Sequence, residues 1–281
     1  MKKISFLLLV FTLFSFAKTN VIVSIVPQKL FVEKIGGEQV EVTVMVKTGS
    51  SPHNYQPKPS QMKDISKASV YFAMGVEFEN VWLEKFHNQN QNMLIMDSSQ
   101  GIEKYYAYHN CTRVQHNHTQ SIDPHVWVDP LNVKIITKNI YETLVQLDNK
   151  NADFYKKNYE RYLEELDQLH TDIQKILEKT PKYSTFMVFH PSWGYFAKRY
   201  DLIQLPVEVN GKEPKMKALV GIIEKAKEAN VQAIFTQPEF SDKASQNIAN
   251  NLNIEVIKAS PLAENWSENL QILAKAIAKK E

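Results

Sequence analysis

The sequence carries a single cysteine, Cys111. No disulfide within the chain is available, so packing alone has to hold the fold, even in an oxidising compartment. Surplus charge is missing as well. Once Lys2 and Lys3 are removed with a leader, the 33 basic residues fall to parity with the 31 acidic ones. No basic field remains to attract nucleic acid or anionic lipid. The longest apolar run, Ile4 to Phe16, falls short of the roughly 20 residues a membrane-spanning helix needs. There is no His-Glu-x-x-His, no Gly-x-Ser-x-Gly nucleophile elbow and no phosphate-binding loop. Neither a sequence repeat nor a low-complexity linker interrupts the chain.

What is present begins with that short run. Lys2 and Lys3 precede it, and Ser15-Phe16-Ala17 follows the small-x-small pattern of a cleavage site, so residues 1–17 read as a secretory signal peptide. No Cys follows the run. The expectation is therefore a periplasmic protein without a lipid anchor, soluble and monomeric rather than integral to the membrane.

After the leader, strand-like and helix-like segments alternate. Val21–Val26, Val40–Val46, Ser69–Met74 and Met93–Asp97 read as strands, with helices over Gln28–Ile35, Ser60–Ala68 (Ser60 as cap) and Glu79–His87. Such alternation predicts a mostly parallel sheet covered on both faces. Gly101–Ser121 is polar, aperiodic and read as an exposed mobile loop. A helix over Asn132–Leu147 follows. The second half repeats the plan, with strands over Tyr183–Phe189, Leu202–Val209, Val231–Thr236 and Ile254–Ala259. Its helices fall over Trp193–Tyr200, Pro214–Ala229 (Pro in the first turn), Ser241–Asn251 and Trp266–Lys280.

Between the halves lies one long periodic stretch. Tyr155, Tyr159, Tyr162, Leu166, Leu169, Ile173 and Ile176 recur in alternating steps of four and three, which predicts one helix over Ala152–Thr180 with a continuous apolar stripe. Asn151 is placed to cap it, and Pro181 cannot continue it. At ~1.5 Å per residue the rod spans roughly 40–45 Å, long enough to join two lobes. The expected architecture is α/β: two lobes, each a mostly parallel sheet flanked by helices, joined by this helix with a ligand site between them. The divisions are 1–17 leader, 18–150 N-terminal lobe, 151–180 connecting helix and 181–281 C-terminal lobe.

Three of the eight histidines sit where such a site would form. His53 follows a strand within Ser51–Pro59, His125 lies between two Asp-Pro pairs, and His190 ends a strand before Pro191. Ligands of open α/β sheets gather at the carboxyl ends of strands, and flanking prolines stiffen the backbone there. Three imidazoles suit Zn2+, which accepts them at about 2.0–2.1 Å together with one further ligand. Mn2+ prefers oxygen-rich octahedral sites and is less favoured. Asp123 or Asp129 could orient His125 through its second ring nitrogen.

The stretches SPHNYQPKPS, DPHVWVDP, FHPSWGYFAKRY and NGKEPK together resemble the metal-binding solute receptors of bacterial ABC transporters, most of all their zinc-uptake members. The resemblance covers essentially the whole mature chain. It implies two α/β lobes on a backbone helix, ligand positions at His53, His125 and His190, Zn2+ as cargo, and a membrane permease as partner. It also marks a departure. Many members supply a carboxylate before Pro-Leu near the C-terminus, where this chain has Ser260. Water, Glu239 or Glu208 would then complete the site. His109, His116 and His118 resemble a short version of the family's His-rich loop, an auxiliary collecting site. Lys212 and Glu213 match the motif and are expected to make a polar contact near the cleft. The alternative weighed against this reading is a zinc-dependent hydrolase, with water at the open position of a three-histidine site.

Overall fold

The computed structural model describes residues 18–105, 122–209, 212–238 and 242–278. The leader, the three loop histidines, Cys111, Glu239 and Asn210-Gly211 of the NGKEPK motif lie outside the described residues.

The first sheet is built from β1 (Thr19–Ile25), β2 (Val40–Val46), β3 (Val70–Ala73) and β4 (Leu94–Asp97), interleaved with α1 (Val26–Gly36), α2 (Pro59–Ile65) and α3 (Glu79–Gln89). All its pairings are parallel, in the order β2-β1-β3-β4. Two long helices follow, α4 (Pro130–Leu147) and α5 (Ala152–Leu177). The second sheet repeats the order as β6-β5-β7-β8, from β5 (Thr185–Val188), β6 (Ile203–Pro206), β7 (Ala233–Thr236) and β8 (Glu255–Lys258), again wholly parallel. Its helices are α6 (Gly194–Arg199), α7 (Met216–Glu228), α8 (Asp242–Leu252) and α9 (Trp266–Ala278). In each sheet the strand order reverses between the first and third strands, which opens a crevice at their carboxyl ends. Among the described residues no helix is long and apolar enough to cross a membrane.

Several expected boundaries move for local reasons. Val26 belongs to a helix rather than to the first strand, because Pro27 supplies a fixed φ at the helix start. α2 begins at Pro59 with Lys58 as its N-cap, so Ser60 lies inside it and is not the cap. Pro214 precedes α7, whose cap is Lys215. Asn151 precedes α5, but its side chain donates to Asp148 (2.7 Å) instead of accepting from the helix.

The apolar stripe of α5 also differs from the even reading. The buried positions are Tyr155, Asn158, Tyr162, Leu166, Leu169, Ile173 and Leu177. A straight α-helix turns every 3.6 residues, so a stripe drawn at 3.5 drifts off the buried face by its ends. Tyr159 slides to the flank and stacks on Tyr141, with ring centroids 4.8 Å apart. Asn158 takes the inner position and donates to Ile35 O at the end of α1 (3.0 Å).

The core is not two equal parts. One continuous cluster runs from the first sheet through α5 and α9 to one face of the second sheet, including Phe186, Val188 and Phe235. The alternate residues Met187, Phe189 and Ile234 face the other way into a smaller cluster under α7 and α8, as strand pleating requires. α5 packs against α1, α4 and α9, so helices from both ends of the chain embed the strut.

Candidate metal centre

His53 lies in the loop between β2 and α2. That loop is pinned at several points. Tyr55 donates to Gln61 Oε1 (2.7 Å), and Gln61 Nε2 donates to Met45 O at the end of β2 (2.7 Å). Beneath it, Phe78 N donates to Pro52 O (3.2 Å). The same turn after β3 carries Glu77, whose Oε1 lies 2.9 Å from His53 Nδ1.

His125 is held by one oxygen twice. Asp123 Oδ1 accepts from the His125 backbone N–H (2.9 Å) and lies 2.7 Å from Nδ1. The tight turn that follows, Val126–Val128, is wholly buried. Trp127 donates its indole N–H to Pro261 O (2.8 Å), and Trp266 donates to Trp127 O (2.9 Å). Residues from the second half thus grip the segment that carries His125. Asp129 does not orient His125. It caps α4 by accepting from Leu131 N (2.9 Å) and forms an ion pair with Arg199.

His190 follows β5 at its carboxyl end. Phe189 N donates to Phe235 O (3.0 Å) and Glu208 N to Phe189 O (3.1 Å), which ties the segment to strands on either side. Glu208 Oε1 lies 3.0 Å from His190 Nδ1.

The three rings converge. Their centroids are 6.4 Å (His53–His125), 4.7 Å (His53–His190) and 5.5 Å (His125–His190) apart. One potential ligand atom from each falls within 4.8 Å of the others, and the Nε2 atoms of His53 and His190 are 3.1 Å apart. Each ring meets a carboxylate at Nδ1: Glu77, Asp123 and Glu208. That arrangement fixes the tautomer and raises ligand basicity, as outer partners of metal-bound histidines do. A small pocket beside the rings is walled by Trp127, Gln237, Pro261 and Leu262. Ser260 is not among the residues that line this pocket. It is buried, and its Oγ accepts from Leu262 N (3.1 Å) within its own loop.

The rings differ electrostatically. The hydrogen bond that His53 donates to Glu77 raises the His53 pKa above the ordinary 6.5, against the opposing pull of burial. Burial lowers that of His190, and Glu208 only partly offsets it. Burial alone would push the Glu77 carboxyl up, but its hydrogen bond and charge pairing with His53 hold it at about 2.

Glu77 was not singled out from the sequence. The available signal was its place just beyond β3, at the same carboxyl edge as the histidine loops. Lys212 and Glu213 are exposed, and Lys212 closes a backbone bridge with Val209.

The fold and the histidine cluster can be set beside known proteins. The family model described as ZnuA, zinc-uptake complex component A, periplasmic, matches residues 21–279. A solved crystal structure of ZnuA superimposes with a TM-score of 0.85 at 40% identity, covering 93% of this chain and 98% of that one. The high-affinity zinc uptake system protein ZnuA of Bacillus subtilis is 29% identical over 85% of this chain and 76% of its own. The manganese ABC transporter substrate-binding lipoprotein PsaA of Streptococcus pneumoniae is 28% identical over 80% and 73% respectively. The match spans both sheets and all three histidines, and the chain belongs to the ZnuA family of zinc-uptake components.

Proposed function

We propose that this chain captures Zn2+ outside the cytoplasmic membrane and delivers it to the permease of an ABC transporter. The observation that carries the reading is the convergence of His53, His125 and His190, with ligating nitrogens within 4.8 Å of one another. Bonds of about 2.0–2.1 Å in a tetrahedron place donors roughly 3.3–3.5 Å apart, so small ring movements close the set around one ion. Relatives that carry zinc and manganese are both known. An all-imidazole donor set favours Zn2+ over Mn2+.

Glu208 serves His190 through Nδ1, so water or Glu239 supplies the fourth position. The ion is cargo and no chemistry is done on it. Among the described residues the carboxylates that touch the rings all do so at Nδ1, and none is placed as a general base for a bound water, so nothing there favours the hydrolase. Residues 1–17 direct export, 18–150 and 181–281 form the lobes, and 151–180 joins them. The mature protein acts as a periplasmic monomer, with His109, His116 and His118 as an auxiliary collecting loop.

Elemental analysis of the metal co-purifying with the untagged mature protein tests this directly, with one zinc per chain expected. Replacing His53, His125 or His190 by Ala should each weaken zinc binding at least tenfold in a chelator competition, whereas deleting 110–118 should leave a tight site. Loss of all tight binding on loop deletion, with retention in the triple histidine variant, would overturn the assignment.

A further inference from the structure

Gly194 opens α6, four residues after His190. Its backbone is not in the left-handed region, and at a helix position propensity favours Ala over Gly. The reason for glycine is therefore space. A Cβ built there would stand 2.9 Å from Asp123 Oδ2, 3.4 Å from Tyr105 Oη and 3.7 Å from Tyr105 Cε2.

Asp123 has nowhere to retreat. It is 3% exposed, and its backbone N–H donates to Tyr105 O (2.9 Å). Tyr195, in the same turn as Gly194, donates its hydroxyl to Asp123 O (3.2 Å). The Tyr105 ring packs on Tyr195 with centroids 4.1 Å apart, and Lys198 lies over it at 4.7 Å. Oδ1 is committed to His125 twice. The carboxylate is the atom group closest to such a methyl, and turning it away carries Oδ1 with Oδ2.

We propose that Gly194 is a positioning residue of the metal site: it provides the clearance through which Asp123 reaches His125 Nδ1 and fixes that imidazole for the metal. The segment carrying His190 thereby also sets His125, so two ligands are aligned by one docking contact between the halves of the chain. This rests on the zinc reading above.

The test is a double-substitution cycle read by zinc–chelator competition, with nitrogen NMR of the metal-free His125 ring alongside. Gly194→Ala should weaken zinc binding about tenfold or more, the cost usual for an outer partner, and should shift the His125 tautomer. Asp123→Ala should do the same. The combined variant should bind no worse than Asp123→Ala alone, because the methyl then meets no carboxylate. Unchanged affinity in Gly194→Ala, or a further loss on adding it to Asp123→Ala, would overturn the proposal. Should Gly194→Ala fail to fold, the combined variant decides: folded with Asp123→Ala affinity supports clearance, and anything else refutes it. If wild type binds zinc no better than the triple histidine variant, the zinc reading fails, while the tautomer shift in metal-free Gly194→Ala still judges the positioning role.

Discussion

Replacing Glu77 by Gln should separate what the carboxylate does for orientation from what it does for protons. Gln keeps the shape and an oxygen that accepts from His53 Nδ1–H, so the ring stays aimed. Affinity at about pH 8 should therefore fall by no more than about tenfold, the low end for outer-partner changes. Zinc needs neutral imidazoles, so each histidine that must lose a proton costs one decade of affinity per pH unit below its pKa, about 1.4 kcal/mol. In the wild type His53 enters this regime at a higher pH than His190, because its pKa is raised chiefly by Glu77 while burial lowers that of His190. Without the carboxylate the largest cause of the His53 rise disappears. The gap between wild type and Glu77→Gln should then narrow as pH falls from about 8 toward about 6, by up to a decade per unit. The linked stability has the opposite sign. In metal-free protein the protonated His53–Glu77 pair stabilises fully between about 4.5 and 6.5; it is lost as pH rises through the raised His53 value, and lost again as pH falls from 4.5 through about 2, where Glu77 protonates. Competition titrations with a chromophoric chelator across this range provide the assay. A gap that stays constant or widens toward acid would refute the claim that Glu77 sets the proton competition at His53.

Two further outcomes follow from buried groups elsewhere. Trp266 is 1% exposed, packs edge-on against Phe31 at 5.1 Å and donates to Trp127 O behind His125. Trp266→Ala should cost about 3–5 kcal/mol in urea denaturation and weaken zinc binding, whereas a purely peripheral side chain would do neither. Glu79 accepts from Met74 N (2.9 Å), Gly75 N (2.8 Å) and Ser24 Oγ, and burial raises its pKa from 4.5 to about 7. In that window the unfolded chain releases a proton that the folded one keeps. Metal-free stability should thus fall as pH rises from about 4.5 to about 7, by up to about 3 kcal/mol. Glu79→Gln should flatten that slope, and an identical slope in both proteins would exclude Glu79 as its source.

The parts of the molecule readable in advance are those where local pattern and global fold demand the same thing. β-branched runs separated by amphipathic segments can only become parallel strands with crossover helices, and loops at strand ends can only gather at one edge. His53 and His190 were visible for that reason, and His125 through its stiff Asp-Pro brackets. The rest depends on partners far away in sequence. Asn158 reads as a polar break in a helix face until Ile35 O, more than a hundred residues earlier, is known to need a donor. Asp129 looks as well placed as Asp123 beside His125 until Arg199 claims it. Glu77 is one acid among 31 acidic residues until the turn that bears it is seen to support Pro52. The imidazoles were legible because a metal selects residue type. Their carboxylate partners were not, because any acid delivered to Nδ1 by any segment serves equally, and only the folded chain determines which one arrives.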